Sequence, residues 1–181
     1  RVSIHCTALN ARDLFVTLNT YPDHQHDIGS DIVGTVTHCG KDVTTLQPGQ
    51  RVMGLASRGF ATHITASAIA FTPVPEVFND CEAAAIPTAW MTVYYSLTSL
   101  VSLKAGQSIL IHNATGGVGL AAIHYAQHVG ATIYATAGTL KKREYLAQRG
   151  IHHIYDSRST DFSQAILNER HQRSEERRVG K

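Results

Sequence analysis

The run Ile111-His-Asn-Ala-Thr-Gly-Gly-Val-Gly-Leu-Ala-Ala122 sets a buried apolar strand directly against a glycine-rich turn that opens a helix. Binding a dinucleotide calls for that order, because the free N–H groups of the helix start face the pyrophosphate charge. Read as a relative of Gly-x-Gly-x-x-Gly, the motif positions are Ala114, Gly116 and Gly119. The first makes the tight turn, the second lets the backbone approach the pyrophosphate, and the third allows close packing of helix on strand. Thr115, Gly117 and Val118 complete the candidate phosphate loop, with Ala114 departing from the usual glycine.

The next strand should say which nicotinamide cofactor fits, since an NAD site places Asp or Glu about 20 residues on to hold the ribose 2′-hydroxyl. Ala135-Thr-Ala-Gly-Thr139 offers no carboxylate there, and Lys141-Lys-Arg143 opens the following helix. Cations sit badly at the positive end of a helix, and an anion would relieve them. The 2′-phosphate of NADPH is such an anion, so Lys141 is the first candidate contact and Arg158, with Ser157 beside it, the second. The alternative is a solvated charge run.

Metal chemistry and hydrolysis find less support. The sequence holds 11 histidines, but His152-His153 would point to opposite faces of a strand. His24 and His26 stand in a polar loop without Cys or carboxylate at ligand spacing, so no metal is expected. No Gly-x-Ser-x-Gly elbow is present to present a serine nucleophile. Hydride transfer fits better.

Two sets of elements must position these residues. Period-2 alternation over Val2–Ala8 predicts a strand, followed by a short helix near Arg12–Leu18, a Pro22-Asp23 turn, and strands over Asp31–His38, Gln50–Leu55 and Phe60–Thr65. After Pro73-Val-Pro75 the pattern changes. Asn79 or Asp80 caps a helix through Glu82 to Ile86, and a second helix runs from Thr88 to Leu100. Strands at Ser108–His112, Thr132–Ala135 and His153–Tyr155 then alternate with helices at Val118–His128, Leu140–Gln148 and Phe162–Asn168, the βαβ signature of a parallel sheet. The fold class expected is α/β, with a partial barrel over 1–74, whose opening strand starts as if its N-terminus were missing, and an incomplete Rossmann unit over 75–172.

Length and composition agree: 181 residues, 43% of them hydrophobic, can bury a core. No apolar run reaches the roughly 18 residues needed to cross a bilayer, and no signal-peptide pattern opens the chain, so a soluble, cytoplasmic protein away from membranes is expected. The three cysteines, Cys6, Cys39 and Cys81, read as free thiols. The last nine residues, 173–181, carry four cations and two anions, the whole of the formal +2. They resemble an in-frame translation of a sequencing adapter and are set aside as a non-native tail. With no wider basic surface upstream, nucleic-acid binding is excluded.

Together these residues resemble the zinc-independent medium-chain dehydrogenase/reductases, a GroES-like barrel followed by a Rossmann unit. Within that superfamily the likeness is to the enoyl reductase domain of modular polyketide synthases and animal-type fatty acid synthases. Leu9-Asn-Ala-Arg-Asp13, Gly29-Ser-Asp-Ile-Val-Gly34, Gly49-Gln-Arg-Val-Met-Gly-Leu55, Ala89-Trp-Met-Thr-Val-Tyr-Tyr-Ser-Leu97, His112 to Gly119, and Asp156-Ser-Arg-Ser159 with Asp161-Phe162 carry it. Zinc alcohol dehydrogenases would have Gly-His-Glu near Gly29-Ser-Asp31. The resemblance implies reduction of a trans-2-enoyl thioester held by an acyl carrier protein, with NADPH delivering hydride to the β-carbon and Tyr21 donating the α-proton. It places Asn10 and Thr92 beside the nicotinamide, implies other domains of the same synthase as partners, and leaves room for a homodimer. Ala11 stands where the family usually has an aromatic residue. The family's assisting lysine would lie downstream of this chain, so the isolated segment is expected to be inactive. The competing functions are a free-standing quinone or alkenal reductase with the same cofactor, and a fragment that binds cofactor without catalysis.

Overall fold

A computed structural model describes residues 1–21 and 27–169. The turn read at Pro22-Asp23, the loop histidines His24 and His26, and the tail over 173–181 lie outside the described residues. By spatial contact the chain divides into two units, Arg1–Met91 and the part from Thr92 onward.

The first unit is a five-stranded antiparallel sheet. Its strands are β1 (Val2–Ala8), β2 (Asp31–Val36), β3 (Arg51–Leu55), β4 (His63–Ile64) and β5 (Phe71–Pro73), in the order β4-β1-β2-β3-β5. β2 is central and apolar on both faces, with Ile32 and Val33 fully buried. Each such side chain contributes about 1.5–3 kcal/mol on leaving water. β1 pairs with β2 from Val2↔Val36 to Ala8↔Asp31, with a bulge between Ile4 and Cys6. The strand expected over Phe60–Thr65 shrinks to two residues, His63 and Ile64, paired with Ser3 and Val2. β5 escaped the pattern reading, being three residues long and ending in Pro73, which lacks an N–H and so suits an edge.

Two helices precede the division of the chain. The helix α1 (Ala11–Thr17) follows β1, and α2 (Asp80–Ala84) starts at the Asn79 cap, whose side chain accepts from Glu82 N. Ala83 and Ala84 of α2 are buried with Val33 and Val74, in the same compact unit as the sheet. α3 (Pro87–Tyr94) continues as a π-helical turn over Tyr95–Leu100, where Thr98 Oγ1 donates back to the Tyr94 carbonyl.

The second unit is a parallel sheet of β6 (Ser108–Ile111), β7 (Thr132–Ala137) and β8 (His153–Asp156), in that order. α4 (Gly117–Val129) links the first pair and α5 (Leu140–Gln148) the second, as in a right-handed nucleotide-binding half. α4 buries Gly119, Ala122, Ile123 and Ala126, one stripe at helical spacing, and ends on Gly130 at φ 79°. A last helix, α6, covers 161–169. Among the described residues no helix is long and apolar enough to cross a membrane.

Candidate functional site

The glycine turn lies where the sequence places it, between the carboxyl end of β6 and the start of α4. Asn113 adopts φ 48° and its carbonyl accepts the Gly116 N–H at 2.8 Å, closing the turn. Ala114 is fully buried, its N–H donating to the Thr136 carbonyl at 3.0 Å, which stitches the turn to the end of β7. At Gly119 a Cβ would come within 2.5 Å of the Asn113 carbonyl oxygen and 2.7 Å of Ala114 Cα, so this contact between helix and turn exists only for glycine. At Gly117 a Cβ would meet nothing within 4 Å.

That open space faces the helix start. Gly116 is the N-cap of α4 and supplies no side-chain cap. The N–H groups of the first turn, Gly117 and Val118 among them, therefore have no intrahelical acceptor, and the dipole adds positive potential. Thr115 Oγ1 is buried and has no hydrogen-bond partner among the described residues. Here the chain can hold an anion through backbone N–H groups and one hydroxyl. His112 beside the turn is steadied by Thr136 Oγ1 at 3.1 Å from its Nδ1 and by an edge contact with Phe162 at 5.2 Å.

The ends of β7 and β8 hold the second group of charges. Thr139 caps α5, accepting from Lys142 N at 3.3 Å, and Lys141 is exposed in the first turn. A Cβ on Gly138 would lie 3.3 Å from Ser157 Oγ and 3.6 Å from Arg158 Nε, so both side chains lie over the end of β7. The end of β7 carries no acid of its own, but the parallel register sets Asp156 against Ala137 and brings a carboxylate there from β8. Asp156 accepts the Arg158 N–H at 2.9 Å and pairs with Arg143 at 3.0 Å. The Arg158 N–H first, and the Arg143 charge after it, hold this carboxyl below the usual carboxylate range. Of the three cations that open α5, Arg143 thus has its anion inside the protein and also donates to the Ala137 carbonyl at 3.0 Å. Lys141 and Arg158 make no ion pair among the described residues.

In the first unit, Asn10 precedes α1 and its Nδ2 donates to Asp31 Oδ2 at 3.0 Å. Asp31, 2% exposed, also accepts from Thr88 N at 3.1 Å and Thr88 Oγ1 at 2.6 Å. Asp13, equally buried, accepts from Asn10 N at 2.7 Å and Gly29 N at 2.8 Å. Asp31 thus holds the Asn10 side-chain amide and Asp13 its backbone N–H; neither carboxylate stood out in the sequence as a site residue, since their burial shows only in the fold. Tyr21 is 37% exposed with the Arg12 guanidinium 5.2 Å above its ring, and Arg12 Nη1 donates to the Asp27 carbonyl at 3.0 Å. Thr92, in the second unit, is exposed on α3. Among the described residues no three His, Cys, Asp or Glu side chains converge as metal ligands.

Comparison with known proteins adds to this geometry. Residues 1–75 match the model of the alcohol dehydrogenase GroES-like domain, and residues 117–174 that of the zinc-binding dehydrogenases. The second description carries zinc in its name; in this chain Asp31 is occupied by Asn10 and Thr88. A mycocerosic acid synthase-like polyketide synthase of Mycobacterium tuberculosis is 43% identical over 169 residues, covering 91% of this chain and 8% of that protein. Phthioceranic/hydroxyphthioceranic acid synthase of Mycobacterium bovis is 40% identical over the same length, again 8% of it. The chain thus spans a small part of the curated relatives it matches. Among solved structures, the CurK enoyl reductase superposes with a TM-score of 0.86 at 33% identity, over 93% of this chain and 54% of that one. A mycobacterial protein complexed with NADPH gives 0.78 at 28% identity, over 86% of this chain and 49% of that one. A GroES-like model and a dehydrogenase model met in chain order, with an enoyl reductase sharing the backbone, make this chain similar to the medium-chain dehydrogenase/reductases over both of its units.

Proposed function

We propose that the chain is the greater part of an NADPH-dependent enoyl reductase domain working inside a polyketide or fatty acid synthase. The observation that carries the reading is the pairing of an uncapped α4 start with two exposed cations, Lys141 and Arg158, whose side chains form no ion pair among the described residues. The residues fit the cofactor. The space beside Gly117 admits a phosphate, Thr115 Oγ1 lacks a partner, and Gly138 leaves room for Ser157 and Arg158 over the strand end. Ala114, Thr115, Gly116, Gly117, Val118 and Gly119 would hold the pyrophosphate, and Lys141, Ser157 and Arg158 the 2′-phosphate. Asn10 would present its amide to the nicotinamide.

When bound, NADPH supplies the hydride that the β-carbon of a trans-2-enoyl thioester accepts. The chain's own part is binding, orientation and the proton. Asp31 and Asp13 lock Asn10 in one orientation, which lowers the entropic cost of presenting its amide to a ligand. Tyr21, its ring steadied by Arg12, serves as donor to the α-carbon. The substrate would arrive on the phosphopantetheine arm of an acyl carrier protein of the same synthase.

The test is NADPH consumption by the domain in its parent protein. A crotonyl thioester should be reduced and a quinone left untouched. Turnover with the quinone alone would instead assign a free-standing quinone reductase, the activity named for a solved mycobacterial protein of this fold at 28% identity.

A further inference from the structure

The first unit brings together two thiols that lie 75 positions apart in sequence. Cys6 Sγ on β1 and Cys81 Sγ on α2 stand 3.6 Å from each other. Their neighbours are joined as well, His5 Nδ1 lying 3.0 Å from Asp80 Oδ2, so strand and helix are held in register at this point. Cys81 is exposed, while Cys6 is half-buried against the cluster of Val33, Val74, Ala83 and Ala84. A disulfide needs its sulfurs about 2.05 Å apart. The remaining approach is about 1.5 Å, within what side-chain torsions and a five-residue helix can supply.

We propose that Cys6 and Cys81 form a reversible dithiol/disulfide couple, a redox modification site whose oxidant is a low-molecular-weight disulfide. The two thiols have different parts. Burial in the first place, and Cys81 beside it, push the Cys6 thiol up, which makes it the slower of the two toward a small disulfide. The exposed Cys81 is the point of entry. Its thiolate attacks one sulfur of the small disulfide and expels the first small thiolate, leaving a mixed disulfide on Cys81. Cys6 then loses its proton to solvent, attacks Cys81 Sγ and expels the second small thiolate. The protein is oxidised by two electrons, and the small disulfide is reduced to two thiols. The product ties β1 to α2 and closes a loop of more than seventy residues, which constrains the unfolded chain. Cys39 serves as an internal control. It is half-buried elsewhere in the same unit, with Sγ 3.4 Å from the Leu46 carbonyl.

The full 181-residue chain, incubated with oxidised glutathione and then alkylated without reductant, tests the assignment by intact mass and peptide mapping. The expected result is a mass lower by two hydrogens, a linked peptide pair holding Cys6 and Cys81, Cys39 free of any link to either, and a Tm several degrees above that of the reduced chain. Dithiothreitol should reverse all of it. In Cys6→Ser, Cys81 should stop at the glutathione adduct; in Cys81→Ser, a surface change, Cys6 should stay alkylatable. Wild-type Cys81 trapped as a stable glutathione adduct with Cys6 still alkylatable would overturn the proposal. So would both thiols remaining reduced, and the wild-type peptide map decides without relying on either variant.

Discussion

Arg143 on α5 grips Asp156 at the end of β8, Nη1 to Oδ2 at 3.0 Å. The same carboxylate accepts the Arg158 N–H at 2.9 Å, so one acid both neutralises a cation at a helix start and fixes the loop that presents Arg158. Its pKa is lowered chiefly by the Arg158 N–H and then by Arg143. A carboxyl lowered on folding stabilises the fold above its unfolded value, about 3.9, and that contribution is lost as pH falls through the lower folded value. Tm should therefore fall more steeply in the wild type than in Asp156→Asn as pH drops below about 4. Matching profiles in thermal melts across that range would refute the role.

With Arg143 engaged internally, the proposed function puts discrimination for the 2′-phosphate on Lys141 and Arg158. Lys141→Ala and Arg158→Ala should each weaken NADPH binding about tenfold, the scale of one charge-assisted contact, and leave NADH binding unchanged. Fluorescence titration with both dinucleotides measures this. Equal losses for the two would place these cations elsewhere than at the 2′-phosphate.

Two glycines of the same turn should fail in different ways. Gly119→Ala forces a Cβ to 2.5 Å from the Asn113 carbonyl oxygen and should destabilise the fold by about 1–3 kcal/mol. Gly117→Ala meets no protein atom, so its Tm should match the wild type while dinucleotide affinity drops, because the new methyl takes the space a phosphate needs. Retained affinity in Gly117→Ala would move the anion site away from α4.

Asp31 is a buried acceptor for three donors. Asp31→Ala removes the acceptor that the Asn10 amide and the Thr88 N–H and hydroxyl share, and should cost about 3 kcal/mol in urea unfolding. A loss below about 0.5 kcal/mol would show that water replaces the carboxylate freely.

Tyr21→Phe should slow enoyl reduction by about a hundredfold, the usual contribution of a positioned acid, with NADPH affinity intact. Unchanged kcat and unchanged configuration of the product α-carbon would remove Tyr21 from proton transfer.

Local signals in the chain were sufficient for much of this. Strand alternation at Val2–Ala8, the capping residue Asn79, and the strand-turn-helix order around Gly116 to Gly119 each involve residues within a few positions of one another, where backbone preference and periodicity act directly. The span of α5 and the cations at its start were legible for the same reason. Three features were decided only in three dimensions. A parallel register delivered Asp156 to Ala137, α2 packing brought Cys81 to Cys6, and the buried Asp31 gathered Asn10 and Thr88 from two distant segments. In each case the partners are 19 or more residues apart, and their meeting is set by which faces the sheets and helices bury, a property of the whole packed core rather than of any stretch of sequence.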